Sequence, residues 1–472
     1  MPSAEPAPKS DQVASMEDGM IYRGLVLPVV LIGTVVLGVG LGSSAYGQSA
    51  EPEVTFSKDV LPILQRSCQT CHRAGSIAPM SLISYEEVRP WARSIKRNVE
   101  SREMPPWYID RRIGIQKFKD DPSLTDEEIA TITGWVDAGA PRGNPADAPP
   151  PREFLAANEW RMGKPDLVVS LDEPHMLAAE GPDEFPSYIV DPGLTEDRYI
   201  KAVEVKPDAR SQAAIHHAVT TMTEFDEDIA KASFLNEYAA GKNGDIFDED
   251  TGRLMKAGTK IRFGLHLHPY GEEIPVMVSL GLQLYPKGYV PKYTLTSQHM
   301  GDDNDLLIPA GERSVRTEGY TVLTQPAVIT AFQPHLHTRG QAQCIEIIIP
   351  PTDDEGNVLQ LGLGNSPAPL MRQQTLNCVP KWNFNWHLVY NYAEDVAPVV
   401  PPGTIVHITT WHDNSETLRV NPDPRNNIVY GQRTIDEMSF AWVSYYYIDE
   451  DDYHARLAAR DAAQTSNNQD NQ

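Results

Sequence analysis

The pentapeptide Cys68-Gln69-Thr70-Cys71-His72 constrains this chain more than any other feature of its sequence. Two cysteines that flank two residues and precede a histidine form the pattern to which a c-type haem is attached. The thiols add to the haem vinyl groups, and the histidine becomes the proximal iron ligand. A thioredoxin-like redox pair would need a βαβ context, and a zinc site a second Cys/His pair, and neither follows the motif. The sequence therefore predicts one covalently bound haem c, held by Cys68, Cys71 and His72.

The residues around the motif have the helical periodicity of a small all-α domain. Capping residues indicate three helix starts, at Ser57, at the capping box Ser84/Glu87 and at the capping box Thr125/Glu128. Five prolines between residues 141 and 151 are typical of a stiff linker. We therefore expect residues 51–150 to form a cytochrome c domain that closes with this Pro-rich linker.

Two methionines are candidates for the sixth iron ligand. Met104 is followed by Pro105 and Pro106, which stiffen a loop that can carry a thioether to the far face of the haem. Met80 lies only eight residues after His72. The Pro79–Met80 segment has an alternative role, because its carbonyl could accept the free N–H of His72 and fix the ring. The sequence favours Met104 and leaves Met80 open.

The N-terminal residues indicate the compartment. Residues 24–50 carry no charge, and Ala45-Tyr46-Gly47 supplies small residues where a signal peptidase could cut. Residues 1–50 are thus expected to be a signal peptide, with an uncleaved membrane anchor as the alternative. Thioether attachment of haem also takes place outside the cytoplasm, so we expect a periplasmic or otherwise extracytoplasmic protein.

The net charge of the chain excludes one class of binding partner. A formal net charge of −25 excludes a nucleic-acid-binding surface. The C-terminal residues 456–472 become polar and rich in Asn and Gln, which predicts a disordered tail.

Beyond the linker the apolar pattern changes to the period of a β-strand. Apolar residues alternate along 276–284, and similar short runs recur at 344–349, 404–411 and 441–448, separated by turn residues. This pattern predicts antiparallel β-sandwiches, which we divide into domains at 151–300 and 301–455. Cys344 and Cys378 remain after the haem has taken two cysteines, so one disulfide is expected, with two free thiols as the alternative.

Three pairs of histidines follow in this β region: His216-His217, His266-x-His268 and His335-x-His337. Residues i and i+2 of a strand face the same way, so each spaced pair could present two imidazoles to one cavity. Imidazoles without a partnering cysteine or acidic cluster favour copper or zinc over calcium or magnesium. The other six histidines outside the haem motif have no matching partner and receive no role: His175, His299, His387, His407, His412 and His454.

The order of these motifs resembles that of the copper type II, ascorbate-dependent monooxygenases, the relatives of peptidylglycine α-hydroxylating and dopamine β-monooxygenase. The matching segments run from Ile215-His216-His217-Ala218 through His266-Leu267-His268-Pro269-Tyr270-Gly271 and Pro334-His335-Leu336-His337-Thr338-Arg339-Gly340 to Asp436-Glu437-Met438. The resemblance covers about residues 160–448 and is greatest to bacterial members with a cytochrome c module ahead of two jelly-roll-like copper domains.

The resemblance implies two copper sites. His216, His217 and His266 would hold the electron-transferring copper, with His268 as an alternative third ligand because Leu267 replaces the family's usual tyrosine. His335, His337 and Met438 would hold the copper that meets oxygen and substrate, and these three are the catalytic candidates. A thioether such as that of Met438 stabilises Cu(I), the state that activates O2.

The chain departs from the peptide-amidating branch at the positions that grip the substrate carboxylate. Gln333, Phe440 and Trp442 stand where that branch has Arg, Asn and Tyr. Without the cationic group a peptide C-terminus is a poor substrate, and a neutral or aromatic small molecule fits better.

Taken together, the sequence predicts a monooxygenase that hydroxylates a C–H bond with O2 and receives electrons through its own haem. An external donor would reduce the haem: a redox protein, a quinol-linked donor or an ascorbate-like reductant. The alternative is a non-catalytic haem and copper protein for electron transfer or copper binding. A zinc hydrolase built on His335 and His337 is a third interpretation, but no Asp or Glu base lies at a recognisable spacing.

Overall fold

The computed structural model describes residues 54–155, 159–223, 233–239, 242, 244–302, 305–353, 355–359 and 370–470, with side chains up to residue 462. The described residues belong to one compact unit. The expected signal peptide or anchor at 1–50 lies outside the described residues. Within the described part of the chain, no helix has both the length and the apolar character needed to cross a membrane.

The described residues form short helices near the N-terminus and one longer helix at the C-terminus: α1 (Leu61–Ser67), α2 (Tyr85–Val88), α3 (Ala92–Glu100), α4 (Asp126–Asp137) and α5 (Glu450–Asp470). Both predicted capping boxes are present, with Ser84 and Glu87 at the start of α2 and Thr125 and Glu128 at the start of α4. Ser57 is not a helix cap, since it lies inside a short π-helical turn, Phe56–Val60, that follows Thr55. The Ser57 hydroxyl instead donates to the carbonyl of Arg142, 3.0 Å away.

The N-terminal helices share one apolar core, to which Val60, Leu64, Val88, Ile132 and Trp135 contribute fully buried side chains. The Pro-rich stretch packs back onto this core. The carbonyl of Pro141 accepts the N–H of Phe56 and the indole N–H of Trp135, at 3.0 and 2.9 Å. The contact continues to the end of the stretch, because the amide of Gln65 donates to the carbonyl of Pro150 at 2.9 Å and Arg152 donates to the carbonyl of Gln65. Residues 141–151 therefore pack along the helical region.

Twenty-two strands follow in the described residues. The first eleven are β1 (Leu167–Ser170), β2 (His175–Leu177), β3 (Ser187–Val190), β4 (Arg198–Pro207), β5 (Ile215–Thr223), β6 (Ser233–Ala239), β7 (Asp245–Ile246), β8 (Thr251–Met255), β9 (Lys260–Leu267), β10 (Ile274–Val276) and β11 (Val278–Leu284). The second eleven are β12 (Tyr293–Gly301), β13 (Leu307–Ile308), β14 (Val315–Val322), β15 (Ala327–His335), β16 (Gly340–Ile349), β17 (Arg372–Val379), β18 (Tyr390–Asn391), β19 (Val399–Val400), β20 (Ile405–His412), β21 (Ile428–Val429) and β22 (Phe440–Tyr447). The predicted apolar runs at 344–349, 404–411 and 441–448 lie on strands to within one residue, whereas the run at 276–284 is divided between β10 and β11.

These strands form two sandwiches that share one long sheet. The shared sheet has the order β1-β11-β4-β8-β12-β22-β15-β18, and β8 and β12 are its parallel junction between the two halves. The four-stranded sheet β3-β9-β5-β6 covers the first half, and β14-β20-β16-β17 covers the second. Each half encloses its own apolar core. The predicted β-sandwich class is thus confirmed, although β12, expected in the first domain, pairs with β22 of the second half.

A segment between the N-terminal helices enters the core of the second sandwich. We call residues 107–118 the strap: its Tyr108, Ile109 and Phe118 are buried there, and the Trp107 and Phe118 rings contact the ring of Tyr390 at centroid distances of 4.8 and 6.0 Å. The strap also donates backbone hydrogen bonds to β17, from Asp110 to Cys378 and from Ile115 to Leu376. A Cβ atom on Gly114 would lie 1.8 Å from the carbonyl oxygen of Leu376, so only glycine allows this approach. The strap therefore belongs to the core of the second sandwich, while the N-terminal helices keep a core of their own.

Two further expectations concern the second half. Cys344 and Cys378 lie directly opposite each other on β16 and β17 and form a disulfide, as predicted. The tail expected to be disordered is instead part of α5, whose backbone is helical to Asp470. Tyr453 anchors the start of this helix in the apolar core.

Candidate metal centre

The first group of predicted ligands lies where β5 meets β9. His217 pairs with His266 across the two strands, and the register shifts between Ile215 and His217. Consecutive residues of a regular strand face opposite sides, whereas a bulge re-aims one side chain. As a result the Nδ1 atoms of His216 and His217 lie 3.0 Å apart, and the His266 ring lies 4.8 and 5.0 Å from their centroids.

His266, not His268, faces this group. Both rings contact Asp183, at 2.8 Å from His266 and 2.7 Å from His268. The side chain of His266 is 3% exposed and that of His268 is 66% exposed. Burial by itself would raise the pKa of Asp183, but the hydrogen bonds from the two histidines lower it below its ordinary value. An ionised Asp183 would orient the His266 ring in the manner typical of carboxylates behind metal-binding histidines.

The second group lies at the end of β15. His335 is the last residue of this strand, His337 follows it, and their ring centroids are 5.8 Å apart. The Nδ1 atom of His337 contacts the carbonyl of Asp436 at 3.2 Å, which leaves its Nε2 atom available. His335 lies 6.2 Å from His217, centroid to centroid. The two predicted sets of histidines therefore form one continuous cluster between the two sandwiches.

Met438 lies on the chain segment that passes both histidines of the second group. Phe440, two residues later, stacks on His335 with a centroid distance of 4.6 Å. The buried carboxylate of Glu437 accepts the backbone N–H groups of His337, Arg339 and Met438. Burial raises the pKa of Glu437 to about 7 despite these hydrogen bonds. This side chain fixes the Met438 segment against the loop that carries His337.

His387 is a functional candidate that the sequence analysis did not assign. It lies between the two groups, with ring centroids 5.3, 5.2 and 5.0 Å from those of His216, His217 and His335. Its side chain is 1% exposed, and neither ring nitrogen has a hydrogen-bond partner. No neighbouring histidine marks this position in the sequence, and the aromatic stretch Trp382–Trp386 before it is the only local signal.

The imidazoles of the cluster are uncharged, because their pKa values are lowered. Burial, together with the neighbouring His387 and His266, lowers the pKa of His216 to about 3. Burial likewise lowers the pKa of His337 to about 4 and those of His217 and His335 well below the ordinary value. Since the neutral imidazole is the form that binds metals, the cluster is suited to a cation that the rings coordinate.

The three positions that depart from the peptide-amidating pattern lie around the second group. Gln333 donates a hydrogen bond to the buried Glu237, and Trp442 stacks on Phe234 at 4.2 Å. A cavity of about 350 Å³ adjoins them and is lined by Phe234, Gln333 and Trp442. The buried Arg253 also lines it, and burial lowers the pKa of this guanidinium to about 10.

The Cys68–His72 motif lies in the helical region with both thiols free. The Nδ1 atom of His72 contacts the carbonyl of Met80 at 3.2 Å, so the Nε2 atom remains available. Cys71 lies close enough to Tyr238 of β6 to affect its ionisation. Burial, with a smaller contribution from Cys71, raises the pKa of Tyr238 to about 12. Ala239, the residue after Tyr238, pairs with His217.

A second connection runs through residues 381–387, which we call the bridging loop. Lys381 forms an ion pair with Glu103, the neighbour of Met104, and Asn383 donates to the hydroxyl of Tyr108 at 3.1 Å. Further along, Phe384 stacks on His216 with a centroid distance of 4.5 Å. The bridging loop thus contacts both the Met104 region and the histidine cluster.

Comparison with known proteins identifies no family. No family model and no curated protein matches the chain. Matching solved structures include the major capsid protein P2 of bacteriophage PM2, with 8% identity over 60% of this chain and 97% of that chain and a TM-score of 0.25. Broad Bean Stain Virus matches with 9% identity over 63% of this chain and 95% of that chain and a TM-score of 0.24. A fucolectin from striped bass (Morone saxatilis) serum matches with 10% identity over 62% of this chain and 89% of that chain and a TM-score of 0.14. These TM-scores are too low to support an argument about fold or function.

Proposed function

We propose that this chain is an extracytoplasmic copper monooxygenase that hydroxylates a C–H bond of a small organic substrate with O2 and receives electrons through a fused c-type cytochrome. The observation that carries this proposal is the convergence of five histidines, of which His266, His335 and His337 are buried and His216 and His217 half-buried. Copper bound there would supply one-electron redox chemistry and O2 activation. The disulfide between Cys344 and Cys378 supports an oxidising compartment.

The donor atoms fit two coppers of unequal character. His216, His217 and His266 offer three imidazoles, while His335 and His337 are flanked by the segment that carries Met438. Asp183 and the carbonyl of Asp436 orient the rings of His266 and His337 from behind. The side chains thus hold the metal ligands in place before any metal binds, as a redox site requires.

The helical region fits a c-type haem. Cys68 and Cys71 are free, and the Met80 carbonyl occupies the His72 nitrogen that would face away from iron. The Pro79–Met80 segment would therefore lie behind the proximal ring, which favours Met104 as the sixth ligand on the opposite face. Haem bound there would store and pass single electrons.

The haem assignment has a direct test. We expect the haem to remain bound in acid–acetone, because thioethers do not dissociate. A Met104→Ala variant should lose the thioether-to-iron absorption band, and Met80→Ala should keep it. Loss of haem in acid–acetone would refute the covalent assignment, and an unchanged band in Met104→Ala would transfer the axial role to Met80.

The substrate proposal rests on Gln333, Phe440 and Trp442. An amide and two aromatic rings cannot neutralise a carboxylate as an arginine does, and the guanidinium of Arg253 in the cavity wall already donates to the carbonyls of Phe234 and Leu235 and to the hydroxyl of Ser297. Phe234 and Trp442 offer flat apolar surface to the cavity. A neutral or aromatic small molecule of a size that fits about 350 Å³ is the proposed class.

Oxygen uptake tests the enzyme proposal. The copper-loaded protein, reduced through its haem, should consume O2 faster when a panel of small aromatic and neutral compounds is added, with a hydroxylated product. A protein that binds copper and haem but consumes no O2 with any compound would be an electron carrier or copper-binding protein. Zinc binding without redox chemistry would favour the hydrolase.

A further inference from the structure

His387 and Glu237 form a second set of metal donors with His335. The three side chains are buried, at 1%, 1% and 5% exposure, and each can direct one ligand atom to within 4.8 Å of the others. The Nδ1 atom of His387 lies 3.6 Å from Oε1 of Glu237, too far for a hydrogen bond. That oxygen, both nitrogens of His387 and the Nδ1 atom of His335 have no hydrogen-bond partner. Buried polar atoms without partners are costly, and one atom from each of the three side chains converges on a position that a cation could occupy.

Charge distinguishes this set from the other possible use of His387. His216, His217 and His387 also converge, but that set contains no carboxylate. A divalent cation held by imidazoles alone keeps its full charge, whereas a carboxylate offsets half of it, and the difference matters most where all three ligands are buried, as Glu237, His335 and His387 are. Glu237 is held by the neutral amide of Gln333 on its other oxygen. A buried carboxylate in such a position is stabilised by a cation at its free oxygen.

We propose that Glu237, His335 and His387 bind a divalent transition-metal ion, so that His335 can be a ligand on either of its two sides. Two imidazoles and one carboxylate with open positions suit copper, zinc or iron(II) rather than calcium or magnesium. The inference deepens the proposed function, since it gives the copper at His335 an alternative position nearer to His216 and His217. His387 would then be the ligand that brings the two copper sites into contact.

Copper binding by the full-length, metal-free protein tests this site. Copper(II) is added to wild type, Glu237→Gln and His387→Gln, and bound ions are counted by equilibrium dialysis while electron paramagnetic resonance follows the coordinated nitrogens. We expect each variant to weaken one copper by at least about 10- to 100-fold, the loss that follows even when only a group that orients a ligand is removed. The control is His407→Gln, a buried histidine that contacts Glu346 at 3.0 Å and stacks on Tyr320 instead.

Wild-type affinity and an unchanged spectrum in both variants would overturn the proposal. Glu237→Gln keeps the size of the side chain and a partner for Gln333, so it decides the matter if His387→Gln fails to fold by circular dichroism. Oxygen uptake separates the two claims. Copper lost from these variants in a protein that never consumes O2 would leave the metal site standing without the monooxygenase. Normal copper binding in both variants of an active enzyme would leave the monooxygenase standing without the metal site at Glu237, His335 and His387.

Discussion

At the scale of single residues, Met438 is the sharpest test of the two-copper proposal. We expect Met438→Ile to abolish O2-dependent hydroxylation, because an alkyl group of similar size cannot coordinate copper. Copper at His216, His217 and His266 should stay bound, since this change lies outside that set. Product formation and the number of bound coppers check the two halves of the prediction. Normal hydroxylation by Met438→Ile would reduce Met438 to a packing role.

Glu437 should matter for stability as much as for the site. Glu437→Ala removes the acceptor of three backbone N–H groups, at His337, Arg339 and Met438. A buried donor left without a partner costs about 1–3 kcal/mol, so we expect a loss of about 3 kcal/mol or more in the free energy of unfolding. Denaturant unfolding measures this change. Glu437→Gln keeps one acceptor oxygen and should lose clearly less; equal losses in both variants would contradict the hydrogen-bond account.

The sequence identifies residues of the cluster where they come in pairs, and fails where one stands alone. The members of the pairs His216-His217 and His335-x-His337 are close in sequence and remain close in the folded chain. No local signal marks His387 and Glu237, because only the meeting of the two sandwiches brings them near His335. The order of motifs likewise points to His266 rather than His268, and the burial of the two side chains agrees with that choice.

At the scale of elements, the sequence predicts what depends on local periodicity. Each capping box, at the start of α2 and of α4, is formed by residues only three positions apart. The alternation of apolar residues along β11 reflects the burial of one face of the strand. Ser57 misleads because Thr55 comes first and the hydroxyl of Ser57 reaches Arg142. The polar composition of the tail wrongly predicts disorder, because composition gives no information about the contact of Tyr453 with the apolar core at the start of α5.

The bridging loop is the element whose loss should affect both redox regions. Phe384→Leu removes a ring stacked on His216, a contact worth about 0.5–1.5 kcal/mol. We expect slower reduction of copper by the haem in stopped-flow absorbance and an altered copper signal, since His216 loses its support. Tyr289→Leu is the control, because its ring stacks on Tyr285 far from the loop in sequence. Equal electron-transfer rates in wild type and Phe384→Leu would exclude this role for the loop.

At the scale of the whole molecule, the strap makes the helical region and the second sandwich one folding unit. A chain that begins at Trp160 lacks Trp107, Tyr108, Ile109 and Phe118. Losing one large aromatic side chain from a core costs about 3–5 kcal/mol, and whole domains are stable by only about 5–15 kcal/mol. We therefore expect the chain from Trp160 to unfold or aggregate, whereas a chain from Pro52, which keeps both the strap and the N-terminal helices, should remain soluble with a measurable melting transition.

Size-exclusion chromatography and thermal melting distinguish these outcomes. A stable, monomeric chain from Trp160 would show that the strap is dispensable. The sequence did not predict the strap, because its partners are distant in the chain. Tyr108, for example, donates its backbone N–H to the hydroxyl of Tyr390, 282 residues away. Periodicity and capping carry no information over such a distance.

The strap also limits how genes for proteins of this kind can recombine. The Pro-rich stretch at 141–151 looks like a natural junction at which one N-terminal region could be exchanged for another. An exchange there would remove the strap from the second sandwich and leave the ring of Tyr390 and the edge of β17 uncovered. A new N-terminal region would have to bring a matching strap, including a glycine opposite Leu376. The two regions are therefore expected to be inherited together, with successful junctions restricted to positions before Phe56, since a later junction would also divide the core of the N-terminal helices.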